Sequence, residues 1–267
     1  MTDRSEAPAI CNSMYSFHRM VEAGQLDVFG FPALCAELGI RLLEVNPTYL
    51  PASESDMERL KEIIRDAGCS VTQMTCDFPL CTTDEGERAA RVDDVRRWAD
   101  VARGMGASTI RCNLGRPLDK EPERGIAQVI RSFKEIVSFC ESWRLVAVIE
   151  NTHGPSTGDA DTILEILSGV GSSALGTCPD FGNFREEVRY ESLARLMPYA
   201  AHLHAKTWKL NAAGDESTYD FPRCVQIAKD AGYAGAWGIE FEAELDDVVT
   251  GEKTGVRMTR ELLERLL

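Results

Sequence analysis

The chain has 267 residues and a net charge of −14. That length suits two small domains or one larger α/β domain with a sizeable core. An acidic surface repels phosphate backbones and argues against a nucleic-acid partner, while a local cation site is easily built on it. Nine scattered cysteines without a CxxC pair read as reduced thiols rather than a disulfide framework. The opening MTDRSEAP is polar, and no apolar run approaches the ~20 residues of a membrane span. The expectation is a soluble cytoplasmic protein with no membrane partner.

In chain order, short apolar runs alternate with helical patterns. The runs are AICNSMYS (9–16), IRLLEVN (40–46), SVTQMTC (70–76), STIRCN (108–113), LVAVIE (145–150), ALGTCPD (174–180), AAHLHAK (200–206) and AWGIE (236–240). Helical spacing of apolar residues marks 31–39, 56–68, 87–106, 121–143, 159–170 and 254–267, and the first two close on a glycine. Eight strands and about eight helices in alternation predict a parallel sheet, at the size of a single (β/α)8 TIM barrel spanning 1–267. An open doubly wound sheet would be expected to carry a Gly-rich phosphate turn after an early strand, and no GxGxxG occurs.

In such a barrel, chemistry sits where strands end at their C-terminal side. The residues there are Tyr15, Ser16, Glu44, Asn46, Cys76, Asp77, Arg111, Asn113, Glu150, Asn151, Asp180, His202, His204, Lys206, Glu240 and Glu242. Ionisable groups at the ends of core strands are costly unless paired or metal-bound. His202 and His204 share a strand face and differ in depth by about 6–7 Å. The outer His204 is therefore the candidate ligand, and His202 a deeper hydrogen-bonded residue. Glu150, Asp180 and Glu240 end three other strands of the same half-barrel. Three carboxylates and an imidazole suit Mn²⁺ first, then Co²⁺ or Mg²⁺, and do not resemble a structural zinc site. Cys76, Cys112 and Cys178 read as packing residues, with no base partner in sequence to activate them.

These residues are similar to the sugar phosphate isomerase/epimerase family of the xylose isomerase-like TIM barrel superfamily. The resemblance runs through YSFHRMVEAGQLDVFGFPALCAELGIRLLEV, VIEN, PDFGN, HLHAK, AGYAGAWGIEFE and GVRMTRELL. It implies Glu150, Asp180, His204 and Glu240 as ligands of one divalent metal ion. It also implies Glu150 and Glu240 as acid/base groups in proton transfer beside a ketose carbonyl, through a metal-bound enediolate. His153, Asn183, Lys206, Arg111 and Glu242 are the expected substrate contacts. His153 is displaced by one residue from the family's usual position after EN. Asn183 stands where ketose 3-epimerases carry a histidine, and AKTWKL lacks the arginine those enzymes place after the metal histidine. The same site on a keto-sugar, keto-glycoside or cyclic 3-keto acid would serve a lyase or dehydratase, which is the alternative expectation. Apurinic endonucleases share the barrel but need a histidine-rich multi-zinc cluster, and this chain has four histidines. A purely scaffolding role would make four ligand-type residues at four strand ends accidental. The expected partner is a small carbohydrate substrate, and the resemblance implies a homodimer or homotetramer.

Overall fold

Alternating apolar residues let each run bury both faces of a strand, one against the barrel interior and one against the helices. The computed structural model describes residues 8–115, 122–152, 160–243 and 247–267. All eight runs contain a strand: β1 (Ile10–Ser13), β2 (Leu42–Val45), β3 (Ser70–Cys76), β4 (Thr109–Cys112), β5 (Val146–Glu150), β6 (Leu175–Cys178), β7 (Leu203–Thr207) and β8 (Trp237–Phe241). The helices are α1 (His18–Glu22), α2 (Phe31–Glu37), α3 (Glu54–Asp66), α4 (Glu85–Gly104), α5 (Pro122–Trp143), α6 (Asp161–Val170), α7 (Arg189–Leu196), α8 (Phe221–Asp230) and α9 (Val248–Leu266). Every ladder is parallel, in the order β6-β5-β4-β3-β2-β1-β8-β7. This is a nearly closed (β/α)8 TIM barrel.

The β6–β7 seam closes more sparsely, through the parallel bridges Thr177↔Ala200 and Asp180↔His204. Pro179 has no N–H to donate, so it contributes only its carbonyl, which accepts from His204 N at 3.0 Å. Phe181 N then donates to His204 O at 3.0 Å. These bonds hold Asp180 beside His204 although the ladder of β6 has ended.

Local chemistry sets the element ends. Ser53, Asp84, Asp220 and Asp247 cap α3, α4, α8 and α9 with side-chain oxygens. Gly39 and Gly68, the closing glycines expected from sequence, follow α2 and α3 at φ +76° and +66°, in the left-handed region that favours glycine.

The first run is shorter than expected. The strand stops at Ser13, and Met14–Phe17 forms a 3-10 turn. Two hydroxyls explain the stop. Ser13 Oγ accepts from Tyr15 N at 3.3 Å, and Ser16 Oγ donates to Ile239 O and accepts from Phe241 N, which ties the turn to β8. All nine cysteines are unpaired. Among the described residues no helix is long and apolar enough to cross a membrane.

Candidate metal centre

Strand phase places the site. On β7, His204 and Lys206 alternate with Leu203, Ala205 and Thr207, so the two polar side chains point into the barrel. Glu150 ends β5 and Glu240 lies on β8, level with Lys206 in the β7–β8 register. Ligand-type atoms of Glu150, Asp180, His204 and Glu240 all lie within 4.8 Å of one another, and all four residues are buried. Their centre is His204 Nδ1. It contacts Glu150 Oε1 and lies 2.8 Å from Glu240 Oε2 and 3.9 Å from Asp180 Oδ2.

Asp180 is held by its own turn. Its Oδ1 accepts from the backbone N–H groups of Gly182 and Asn183 at 2.7 and 2.9 Å. Asn151 braces the backbone, accepting from Asp180 N and donating to Asp180 O. The other carboxylate oxygen, Oδ2, is buried without a hydrogen-bond partner and faces Lys206 Nζ at 3.4 Å. An orphaned buried acceptor is uncommon and calls for an explanation. Here it completes a set of three carboxylates and one imidazole, and a divalent cation fits that set.

Cations rim the cluster. Arg111 pairs with Glu150 Oε2 and also with Asp77, which accepts from Asn46 Nδ2 at 2.6 Å. Lys206 Nζ lies 3.2 Å from Glu240 Oε1 and 2.6 Å from Glu242 Oε1, and donates to Asn183 Oδ1 at 3.0 Å. Each of the two glutamates thus has one oxygen on His204 and the other on a strong cation.

The protonation states follow. Burial alone would raise the Glu150 and Glu240 carboxyls, but Arg111 and His204 for the first, and Lys206 and His204 for the second, hold both below their usual range. Burial pushes Asp180 up to about 7. Burial would lower His204, but the Glu44, Glu150 and Glu240 carboxylates crowd it and raise it well above the ordinary imidazole range. Lys206, also buried, is raised by Asp180, Glu240 and Glu242. Glu242 is raised, chiefly by burial.

The four expected ligands therefore meet in one place. Of the expected substrate contacts, Arg111, Asn183, Lys206 and Glu242 border the cluster, and each engages at least one protein partner. His153 lies outside the described residues. Cys178 also reaches the site, in a group with Glu150 and His204. Burial pushes its thiol up to about 11, so it stays a neutral packing group.

Sequence reasoning assigned no role to Glu44 or Gln73. Both are fully buried one layer below, with His202. Burial would raise Glu44, and His204 and His202 more than offset it. The signal available was a carboxylate inside the apolar run RLLEV. Above the cluster a cavity of about 220 Å3 is lined by Ser13, Tyr15, Asn46, Thr75, Asp77 and Arg111, with His204 and Glu240 at its floor.

The model of the xylose isomerase-like TIM barrel family covers residues 32–266. The chain belongs to that family. Solved structures similar to this barrel include D-psicose 3-epimerase from Clostridium cellulolyticum H10, determined with D-tagatose. That match has a TM-score of 0.80, 13% identity, and coverage of 97% of this chain and 99% of the other. The probable 3-DHS dehydratase AsbF from Bacillus anthracis matches with a TM-score of 0.73 and 15% identity over 96% and 98%. The IOLI protein, solved with a zinc atom, matches with a TM-score of 0.76 and 12% identity over 97% of each chain. At these identities the likeness is one of fold. No curated protein matches the chain. Within the xylose isomerase-like family, then, chemistry must be argued from this chain's own residues.

Proposed function

We propose that this chain is a divalent-metal-dependent isomerase or epimerase that moves a proton beside the carbonyl of a ketose or related keto-sugar. The observation that carries the reading is the convergence of Glu150, Asp180, His204 and Glu240, with Asp180 Oδ2 left without a hydrogen bond. These four residues would hold the ion. When bound, it supplies a Lewis acid that polarises a substrate carbonyl and stabilises negative charge on its oxygen. Three carboxylates and one imidazole favour Mn²⁺, with Co²⁺ next and Mg²⁺ after it.

Glu150 and Glu240 enter from β5 and β8 and would act as the acid/base pair. Arg111 and Lys206 hold their second oxygens and fix their orientation. The cavity accepts one small molecule, and Ser13, Tyr15, Asn46 and Thr75 offer hydroxyl and amide groups matched to a polyol. We further propose that residues 1–267 work as one domain on a small-molecule carbohydrate, with no nucleic-acid or membrane partner, as a homodimer or homotetramer.

One observation favours a second reading. Glu240 lines the cavity above the cluster and Glu150 is not among its lining residues, which leaves Glu240 as the base that faces a substrate. A single base suffices for elimination, so a lyase on a keto-sugar or cyclic 3-keto acid fits the same site.

Metal content and metal-induced thermal shift test the shared premise, with wild type compared against His204→Ala and Glu150→Gln. About one divalent ion per chain, lost in both variants, supports the site. Equal binding in all three removes it. A ketose and keto-acid panel in D2O then separates the two readings. Deuterium entering recovered substrate at a second stereocentre marks the epimerase, and elimination without it marks the lyase.

A further inference from the structure

Glu44 lies beneath the metal cluster with its side chain wholly buried. Each of its oxygens accepts two hydrogen bonds. Oε1 lies 2.8 Å from His202 Nε2 and 3.1 Å from Cys11 Sγ. Oε2 lies 2.9 Å from His204 Nε2 and 3.1 Å from Gln73 Nε2. The Gln73 amide is oriented by Thr109, whose hydroxyl donates to Gln73 Oε1 at 3.1 Å, so the NH2 end faces Glu44. That NH2 is also 3.3 Å from His204 Nε2. An ionised carboxylate oxygen can only accept, so the 2.9 Å contact requires a proton on His204 Nε2.

The fold keeps space for this carboxylate. On β8, a Cβ at Gly238 would stand 2.2 Å from Glu44 Oε1 and 3.0 Å from His204 Cδ2. On β2, the register against β3 shifts between Leu43 and Glu44, an irregularity of the kind that re-aims a side chain. The His204 ring therefore has two different faces. Nε2 meets Glu44 and Gln73 below, and Nδ1 meets Glu150, Glu240 and Asp180 above.

We propose that Glu44 is a positioning residue that holds His204 in its Nε2–H form and thereby commits Nδ1 to the metal ion. The proposal rests on the metal reading given above. A carboxylate on the far nitrogen of a ligating histidine fixes ring orientation and makes the ligand nitrogen more basic. His202, on the other oxygen, braces Glu44 from the next position inward on the chain, although it touches none of the four proposed ligands through that nitrogen.

The test is Zn²⁺ binding by wild type and Glu44→Gln, with long-range ¹⁵N–¹H spectra of the histidine rings of the zinc-loaded proteins. In the variant a neutral amide replaces the carboxylate at His204 Nε2–H, so the ring loses the charge that makes its Nδ1 a more basic ligand. The expected wild-type spectrum shows His204 protonated at Nε2 with zinc on Nδ1. The expected Glu44→Gln protein binds Zn²⁺ about 10–100-fold more weakly. Zinc on Nε2 in the wild type overturns the role of Glu44 and leaves the metal site standing. So does a folded Glu44→Gln protein whose affinity stays within about threefold of wild type. Wild type that takes up no Zn²⁺ overturns the metal reading itself. Should Glu44→Gln fail to fold, the wild-type spectrum alone decides which nitrogen holds the ion.

Discussion

Replacing Lys206 with Met tests the electrostatics of the site most directly. The ammonium is buried among Asp180, Glu240 and Glu242 at 3.4, 3.2 and 2.6 Å and also donates to Asn183. Met keeps the length of the side chain and removes the charge. Breaking a buried ion pair from one side costs about 3–5 kcal/mol, because the partner charge stays buried without compensation. At about 2.1 cal/mol/K of unfolding entropy per residue, 267 residues give roughly 560 cal/mol/K, so each kcal/mol moves Tm by about 1.8 °C. The metal-free variant should therefore melt roughly 5–9 °C below wild type.

Adding Mn²⁺ should then raise the variant's Tm by more than it raises that of wild type. The ion restores positive charge to the same carboxylates and meets no competing ammonium. Calorimetry on chelator-treated protein, with and without Mn²⁺, reads both effects. A metal-free fall of less than about 2 °C would mean that Lys206 is better solvated than its burial indicates. A metal-induced rise no larger than that of wild type would refute the idea that lysine and metal neutralise the same charges.

Metal binding should release protons, because His204 is held protonated well above the ordinary imidazole range and Asp180 titrates at about 7. At pH 7 titration calorimetry in buffers of different ionisation enthalpy should show about 1–1.5 protons released per ion, and affinity should weaken as pH falls; a buffer-independent heat would refute this. Asp180→Asn should abolish the metal-induced shift yet stabilise the metal-free protein. A carboxyl whose folded pKa lies above its unfolded value costs stability that grows from about pH 4 and levels off above 7, so the gain in melting temperature should be absent at pH 4 and full at pH 8. Gly238→Ala should lower stability by about 1–3 kcal/mol through overpacking and weaken metal binding with it, since the new methyl meets Glu44, the Leu203 carbonyl and the His204 ring; unchanged melting and metal affinity would show that this layer gives way.

The barrel was legible because strand and helix periods differ, and eight apolar runs of near-even spacing leave few other architectures. Its details were less so. The helices α7 and α8 are only 8 and 10 residues long, and their sequences RYESLARL and FPRCVQIAKD carry too few turns for a periodic apolar stripe to stand out. Most of the turn, Met14–Ser16, reads as strand because MYS continues the apolar run. What stops β1 is a pair of serine hydroxyls, one of which finds its partners on β8, more than 220 residues away. Local propensity carries no record of such a bond.

The site divides along the same line. Which side chains enter the barrel is a matter of strand phase, and phase is local. His204, Glu150 and Glu240 could therefore be placed on one mouth before any contact was known, and the depth difference between His202 and His204 follows from the rise per residue. What each side chain meets there is a matter of the opposite wall. Arg111 looks like a substrate contact from β4 alone, yet it spans Glu150 and Asp77 from the neighbouring strands. Lys206 looks like a substrate contact from β7 alone, yet three carboxylates surround it, Glu240 from β8, Glu242 just beyond it and Asp180 from the turn after β6. Glu44 looks like one polar residue in an apolar run, yet it joins two histidines of β7's approach and entry across the barrel. In a closed sheet, the neighbours that set protonation come from strands far apart in sequence. Which side chains reach the mouth was thus readable along the chain, whereas the charge each one carries depends on ring closure.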